Sequence, residues 1–273
     1  MTAVTAPVLL VGCGKMGGAL LKGWMDGGVK PGQIAVVEPD AAQRSQIQKQ
    51  FGVAVHAGAA EIPARFRPGA VVLAVKPQAM AEALPPYGRF AKQDAVFLSI
   101  AAGKTIAAIK GLLGGGAVVR AMPNLPAAVG RGITVACADP SVPARQRDQC
   151  QALLAGMGEV AWVEDEGLMD AVTAVSGSGP AYVFLLVECL AEAGVAAGLE
   201  PELAMRLARA TVAGSGELLR RSNEPAARLR ESVTSKGGTT AAALAVLMGT
   251  GGLGPLLKKA VAAAAARSRE LSH

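Results

Sequence analysis

VLLVGCGKMG, residues 8–17, is the stretch that decides the fold. Its first four residues are apolar and predict a short buried strand, and a GxGxxG motif then leads into a helical pattern that runs through Trp24. In this context Gly12 permits a tight turn, Gly14 lets the backbone approach a pyrophosphate, and Gly17 lets helix and strand pack closely. The free N–H groups at the helix N-terminus face the anion. We therefore predict a dinucleotide-binding loop made of Gly12, Cys13, Gly14, Lys15, Met16 and Gly17, with an ordinary strand–helix turn as the alternative.

An acidic residue closes the second predicted strand. Glu38 follows Ile34–Val37, about 20 residues after the glycine motif, where a carboxylate accepts hydrogen bonds from the ribose hydroxyls of adenosine. A carboxylate there repels a 2′-phosphate, which favours NADH or dual use over strict NADPH use. Arg44, one turn into the next predicted helix, would neutralise a phosphate, so NADPH stays open. The alternative is that Glu38 is a solvated charge at a strand end.

Short apolar strands alternate with helices through the first half of the chain. Strands are predicted at 8–11, 34–37, 53–55, 71–74, 96–100 and 118–121, with two more at 133–138 and 160–163. Helices are predicted at 41–51 and from starts near Pro77 and Thr105. Apolar strands that alternate with helices indicate a parallel sheet covered on both faces. We predict an α/β Rossmann domain over residues 1–164, with a doubly wound, mostly parallel sheet.

The pattern changes at residue 165, where strand signals disappear. Val183, Leu186, Val187 and Leu190 share one helix face, and Pro180 suits the first turn of that helix. Further helices are predicted at 201–219, 224–233, 239–248 and 252–271. Residues 165–273 are therefore predicted to form an all-α domain. Several of its helices are apolar on more than one face, which indicates that a partner chain covers them.

Composition excludes several classes of protein. The chain has 273 residues, of which 51% are hydrophobic and 18% charged, so it buries a large core and is not disordered. The net charge of +6 is dispersed and only 3% of residues are aromatic, which argues against nucleic acid and weakly favours an acidic small molecule. The four cysteines are isolated, and His56 and His273 are the two histidines, so no metal site is predicted.

The same residues indicate a cytoplasmic protein. Isolated cysteines are typical of reduced thiols in the cytosol, and residues 1–7 lack the basic residues of a leader. The most apolar long stretch, residues 171–187, is interrupted by Ser176-Gly177-Ser178-Gly179-Pro180. We therefore predict no membrane span.

Three loops follow predicted strands at the edge of the sheet where dinucleotides bind. A crevice between the two domains is the predicted place for the substrate. Lys76 as a surface charge, Pro123 as a turn and Met122 as core filler are the alternatives. The predicted cofactor contacts in these loops are Ala74, Val75, Lys76, Pro77, Ala101, Ala102, Gly103 and Pro123.

Five segments together resemble the pyrroline-5-carboxylate reductase family. They are GCGKMG at 12–17, AVKP at 74–77, RAMPN at 120–124, VSGSGPAY at 175–182 and VTSKGGTT at 233–240. The resemblance extends over nearly the whole chain. It implies reduction of 1-pyrroline-5-carboxylate to L-proline by NADH or NADPH. It also implies a homodimer with intertwined helical domains, often assembled into decamers, with an active site completed across the dimer.

The segment at 235–240 joins two predicted helices and suits a substrate carboxylate. Backbone N–H groups of Gly238 and Thr239, with the Ser235 hydroxyl, would bind that carboxylate at a helix N-terminus. A plain N-cap and turn is the alternative. By resemblance, the Thr240 hydroxyl hydrogen-bonds the ring nitrogen, which makes Thr240 and Ser235 the predicted catalytic residues. The predicted substrate contacts are Ser176, Gly177, Pro180, Gly237, Gly238, Thr239, Met122 and Asn124.

Other chemistry has less support in the sequence. The helical half holds no histidine except His273 and no carboxylate pair beside a nucleophile, so acyl transfer and metal hydrolysis are disfavoured. Two alternatives remain: a reductase of another cyclic imine or a β-hydroxyacid on the same fold, and a non-catalytic dinucleotide-binding module. A nucleic-acid binder rests only on the net charge. Departures from the family pattern occur at Lys15, Glu38, Ala59, Leu125 and Lys236.

Overall fold

The computed structural model describes residues 6–271 of the chain. The expectations for His273 and for most of residues 1–7 fall outside the described residues. Within residues 6–271 the strands, in chain order, are β1 (Val8–Val11), β2 (Ile34–Val37), β3 (Ala54–His56), β4 (Ala70–Leu73), β5 (Val96–Ser99), β6 (Ala117–Met122), β7 (Gly132–Ala138) and β8 (Gly158–Val163).

All of these strands form one sheet in the spatial order β3-β2-β1-β4-β5-β6-β7-β8. The first six run parallel, β7 is antiparallel to β6, and β8 is parallel to β7. The order 3-2-1-4-5-6 is that of dinucleotide-binding folds, whose ligands lie beyond the carboxyl ends of the strands near the reversal between β1 and β4. The predicted fold class is confirmed.

Helices connect and follow the strands. They are α1 (Lys15–Asp26), α2 (Ala41–Phe51), α3 (Met80–Ala83), α4 (Ile106–Leu113), α5 (Ala144–Leu154), α6 (Met169–Val172), α7 (Gly179–Ala196), α8 (Pro201–Arg221), α9 (Ala226–Ser232), α10 (Thr239–Leu247) and α11 (Leu253–Leu271). A π-helical turn, Thr173–Gly177, lies between α6 and α7. The absence of strands after residue 165 is confirmed for the described residues.

The structure corrects three details. The third strand is Ala54–His56 rather than 53–55: Val53 is buried but lies outside the pairing of β3 with β2. The helix near Pro77 is a short 3-10 turn followed by one turn of α-helix, which ends before Pro85. Helix α5 was not predicted at all.

The core lies on both faces of the sheet. Val8 and Leu10 point to one face and pack with Trp24, whose Nε1 donates to the carbonyl oxygen of Leu153 at 2.8 Å. Leu9 and Val11 point to the other face, in a second cluster. Burial on both faces explains why these strands are continuously apolar.

The chain divides into two compact units. One comprises the residues up to Gly177 together with those from Ala265 on, and the other is Ser178–Ala264. The predicted boundary at 164/165 marks where strands give way to helices, whereas residues 165–177 and the end of α11 pack with the first unit. The Ser268 hydroxyl near the end of α11 donates to Asp170 Oδ1 at 2.6 Å.

Exposed apolar residues concentrate on the second unit. Phe184 is 54% exposed, Leu218 64% and Val246 75% in the single chain. The helical run Glu166–Ala196 is long and apolar enough to cross a membrane by length and composition alone, with a mean hydropathy of 1.4. Only 11% of that apolar window is buried within the chain.

Candidate active site

Three glycines shape the loop between β1 and α1, each in its own way. Gly12 has a φ of +84°, and a Cβ on it would lie 2.8 Å from the carbonyl oxygen of Ala74. A Cβ on Gly17 would lie 2.4 Å from the carbonyl oxygen of Gly12. Gly14 faces open space, with nothing in the described structure within 4 Å of its Cβ position. The tight positions set the loop, and the open one leaves room for a ligand beside the start of α1.

The N-terminus of α1 begins at Lys15, which is exposed. No side chain of the described residues caps this helix at Gly14. Its first N–H groups are therefore available to an anion in the open space. Met16, in the same turn, is half-buried and packs against the core.

Glu38 is buried, with 7% of its surface exposed, so it is not a solvated strand-end charge. Its Oε2 accepts a hydrogen bond from the backbone N–H of Cys13 at 3.0 Å, and its Oε1 accepts one from Asp40 at 3.1 Å. The carboxylate thus connects the glycine loop to the turn that enters α2. A negative charge is fixed at the end of β2, where the adenosine ribose binds in folds of this type.

Two side chains of α2 complete the corner where Glu38 meets the glycine loop, called the Glu38 corner below. Arg44 Nη1 donates to the carbonyl oxygens of Glu38 at 3.0 Å and of Pro39 at 2.6 Å, so this nitrogen is engaged with the main chain. Gln43 Nε2 donates to the carbonyl oxygen of Cys13. Sequence reasoning missed Gln43 and Asp40; the signal that would have found the latter is its place as N-cap of α2, where it accepts from the Gln43 N–H at 2.7 Å.

Cys13 is a packing residue rather than a reactive thiol. It is 4% exposed, and burial, aided by the nearby charge of Glu38, raises its pKa to about 11. The thiol is therefore protonated at neutral pH, and a protonated thiol is a poor nucleophile.

The loop after β4 lies against the glycine loop. Ala74 N–H donates to the carbonyl oxygen of Val11 at 2.8 Å, and a side-chain carbon of Val75 would lie 3.2 Å from a Cβ on Gly12. Lys76 is exposed and precedes the 3-10 turn Pro77–Ala79. Of the predicted cofactor contacts in this loop, Ala74 and Val75 are thus brought together with the glycine loop.

The loop after β5 is short and tightly bonded. Ala101 is buried, and its N–H donates to Ser99 Oγ at 3.3 Å, while Ala102 is exposed. Gly103 has a φ of +69°, and a Cβ on it would lie 3.4 Å from the carbonyl oxygen of Leu271 in α11.

The loop after β6 meets the π-helical turn. Asn124 Nδ2 donates to Ser176 Oγ at 3.2 Å, and its Oδ1 accepts from the Ile133 N–H at 3.0 Å. A Cβ on Gly177 would lie 2.5 Å from Met122 Cε. Pro123, between Met122 and Asn124, is buried. The structure therefore brings together four predicted substrate contacts from distant parts of the sequence: Met122, Asn124, Ser176 and Gly177.

In the second unit, the loop at 235–240 leads from α9 into α10. Gly237 has a φ of +73°, and Gly238 is the N-cap of α10, with its N–H donating to the carbonyl oxygen of Ser235 at 3.1 Å. A Cβ on Gly238 would lie 2.4 Å from Ser235 Oγ, so the glycine lets this hydroxyl lie over the start of the helix. Thr239 and Thr240 are the first two residues of α10, and no side chain among the described residues caps it.

Pro180 lies in the first turn of α7, as predicted. An ion pair between a buried arginine and a partly buried glutamate was not singled out from the sequence: Arg120 Nη1 donates to Glu166 Oε1 at 2.9 Å. Charge alone gives no signal for such a pair. Among the described residues, no group of three or more His, Cys, Asp or Glu is placed to hold a metal ion.

Both halves of the chain match known protein families. Residues 166–271 match the family described as "Pyrroline-5-carboxylate reductase dimerisation", and residues 7–103 match "NADP oxidoreductase coenzyme F420-dependent". A pyrroline-5-carboxylate reductase of Pseudomonas aeruginosa is 39% identical over 270 residues, 98% of each chain. The chain belongs to the pyrroline-5-carboxylate reductase family. A member from Synechocystis is 42% identical over 88% of each chain.

Solved structures of pyrroline-5-carboxylate reductases extend the likeness to the fold. The enzyme from Coxiella burnetii is 32% identical with a TM-score of 0.92, covering 98% of this chain and 99% of its own. The Plasmodium falciparum enzyme, solved with NADP bound, is 28% identical with a TM-score of 0.80 over the same shares. The resemblance read from the five sequence segments is confirmed.

Proposed function

We propose that this protein reduces 1-pyrroline-5-carboxylate to L-proline with a hydride from a nicotinamide dinucleotide. The observation that carries this proposal is the family membership over nearly the full chain, together with a dinucleotide-type loop in one unit and an uncapped helix start in the other. The loop at 235–240 suits a substrate carboxylate, and a non-catalytic binding module would have no use for such a site. Reduction of another cyclic imine would use the same residues and is an outcome of the test below.

The chain's residues fit a dinucleotide. The open space at Gly14 and the uncapped start of α1 suit a pyrophosphate, and the fixed carboxylate of Glu38 suits a ribose diol. We assign contacts with the cofactor to all of the cofactor-binding residues that the sequence predicts, from Gly12 to Pro123. The bound cofactor supplies the hydride.

The role of the protein in this reaction is binding and orientation. Protonated, the imine already carries its positive charge, so the protein needs little acid–base chemistry. The N–H groups of Gly238 and Thr239 and the Ser235 hydroxyl hold the substrate carboxylate at the start of α10. Thr240 places its hydroxyl at the ring nitrogen, and the small residues of the tight turn, Ser176 to Pro180, leave room for the ring.

We infer a preference for NADH or dual use. The charge of Glu38 is buried and held by two backbone N–H groups, so it does not turn away easily from a 2′-phosphate. One nitrogen of the Arg44 guanidinium is already bonded to two carbonyl oxygens. Both features work against a 2′-phosphate at this corner.

The assembly proposed is a homodimer built through the helical domain, 165–273, with further assembly into a decamer. The apolar surface of α7, α8 and α10 needs a cover, and the dimerisation family match lies on this part of the chain. A second copy, rather than lipid, is proposed to cover the run Glu166–Ala196. The location proposed is the cytoplasm, with residues 1–164 as the dinucleotide-binding domain.

The experiment is the initial rate of NADH and of NADPH oxidation by the purified protein with 1-pyrroline-5-carboxylate. Omission of the imine and substitution of a carboxylate-free cyclic imine are the controls. Turnover that needs the carboxylate, with NADH at least equal to NADPH, is expected. Cofactor binding without turnover would contradict the reductase, and faster turnover of a different imine would replace the substrate.

A further inference from the structure

One carboxylate oxygen joins two elements beside the predicted site. Glu166 Oε1 accepts from Arg120 Nη1 at 2.9 Å and from the backbone N–H of Ile106 at 2.8 Å. Arg120 is buried, with 6% of its side chain exposed, and Glu166 is 29% exposed. The arginine is thus shielded from water, and the position of the carboxylate is fixed by two donors rather than one.

Each element that meets at Glu166 leads to a part of the predicted site. Ile106 begins α4, directly after the loop that holds residues 101–103. Arg120 lies in β6, which ends at Met122. Glu166 itself begins the segment that runs through α6 into the turn Thr173–Gly177.

Two more hydrogen bonds hold the same segment in place further along the chain. Asp170 Oδ1 accepts from the Ser268 hydroxyl at 2.6 Å, and Ser176 Oγ accepts from Asn124 at 3.2 Å. The end of the Met122 side chain lies against Gly177, with its Cε 2.5 Å from where a Cβ on that glycine would be. The position of the turn relative to β6 therefore depends on a series of contacts that begins at Glu166.

We propose that Glu166, with Arg120, is a positioning residue that aligns the loop at 101–103, the end of β6 and the turn at 173–177. It touches neither substrate nor cofactor in this role. The inference rests on the proposed function, because alignment matters only if these elements meet the reacting groups. Small displacements at a reaction centre cost large factors in rate, whereas binding of a distant part of the cofactor is unaffected.

The test compares Glu166→Gln with Glu164→Gln. Glu164 is the matched control, since it pairs with Arg147 at 2.8 Å but is 84% exposed. In Glu166→Gln we expect kcat/KM for 1-pyrroline-5-carboxylate to fall about tenfold or more. Affinity for ADP, which lacks the nicotinamide, stays within about twofold of the wild type, because the Glu38 corner is untouched. Glu164→Gln changes neither quantity.

A purely structural role predicts a different result: a lower Tm with unchanged kcat/KM per folded molecule. That result would overturn the proposal. If Glu166→Gln does not fold, the double variant Arg120→Met with Glu166→Leu decides, because it replaces both charges by apolar groups and, unlike the glutamine, has no oxygen to accept from the Ile106 N–H. The same fall in kcat/KM is expected there. Wild-type protein without turnover contradicts the proposed function, whereas active wild type with an equally active variant contradicts this inference alone.

Discussion

The carboxylate of Glu38 lies 3.0 Å from the backbone nitrogen of Cys13, so the acidic residue after β2 and the glycine loop after β1 share a hydrogen bond. The parallel register pairs Val11 with Val37, which brings the two loops out of the same edge of the sheet side by side. Each carboxylate oxygen keeps capacity to accept a further bond from a ribose hydroxyl. One side chain therefore shapes the loop and also sets the charge that the cofactor meets.

Glu38→Gln is expected to raise the ratio of kcat/KM for NADPH to that for NADH by about tenfold, ~1.4 kcal/mol. The amide removes the charge that repels a 2′-phosphate and keeps an oxygen for the Cys13 N–H. Initial rates with each cofactor measure the ratio. Glu61→Gln is the control, because this exposed carboxylate accepts from Ala57 N–H at 2.7 Å after the neighbouring strand. An unchanged ratio in Glu38→Gln would show that another group selects the cofactor.

Adjacent glycines in α1 should respond differently to alanine. Gly17→Ala puts a Cβ 2.4 Å from a backbone oxygen, so the loop must move. We expect a loss of about 1–3 kcal/mol in the free energy of unfolding and weaker NADH binding. Gly18→Ala has open space and is expected to gain up to about 1 kcal/mol. Thermal unfolding and NADH titration measure both, and equal behaviour of the two variants would refute this view of the loop.

Removal of the Thr240 hydroxyl should lower kcat for the imine by about 100-fold, which is the size of effect expected when a hydrogen-bond partner of the reacting group is lost. Thr240→Ser keeps the hydroxyl and is expected to recover most of the rate. Ser232→Ala is the control, since that hydroxyl bonds the carbonyl oxygen of Leu229 on the exposed end of α9. Single-turnover rates at saturating cofactor make the comparison. Unchanged turnover in Thr240→Ala would remove this residue from the catalytic assignment.

Alkaline pH should destabilise the protein through Cys13. The unfolded thiol loses its proton near its ordinary pKa of 9.0, whereas the native thiol keeps it until about 11. Above pH 9 the unfolded state therefore binds fewer protons, and the free energy of unfolding falls until about pH 11. Tyr87, whose burial raises its pKa to about 12, extends the decline. Urea unfolding across this range should show that the free energy of unfolding falls less in Cys13→Ala than in the wild type. In Cys189→Ala, where the cysteine is exposed, it should fall as much as in the wild type.

Strand periodicity and the glycine motif predict most of the first unit, because continuously apolar strands and Gly12, Gly14 and Gly17 carry strong local signals. Helix α5 has no such signal. Its buried positions include Gln146, whose amide nitrogen donates to the carbonyl oxygen of Asp94 at 2.9 Å, and a polar residue at that position interrupts the apolar spacing. The position is buried because of a tertiary contact, and the local sequence pattern does not reveal such a contact.

The candidate site likewise has residues that local sequence patterns predict and contacts that they do not. Motif residues such as Gly12 and Gly238 could be placed from the sequence because their spacing is local. The link between Arg120 and Glu166 could not, since it joins residues 46 apart and depends on how β6 and the later segment pack. The roles assigned to individual site residues remain predictions for the experiments above.

The return of α11 to the first unit has a consequence for biosynthesis. Ser268 bonds Asp170, and Leu271 lies beside Gly103, so the dinucleotide-binding unit includes residues made after the whole helical unit. During synthesis, the strands of the sheet emerge from the ribosome well before the end of α11 does. Completion of the first unit therefore waits until the residues after Ala264 have been made, and the two units finish folding at nearly the same moment.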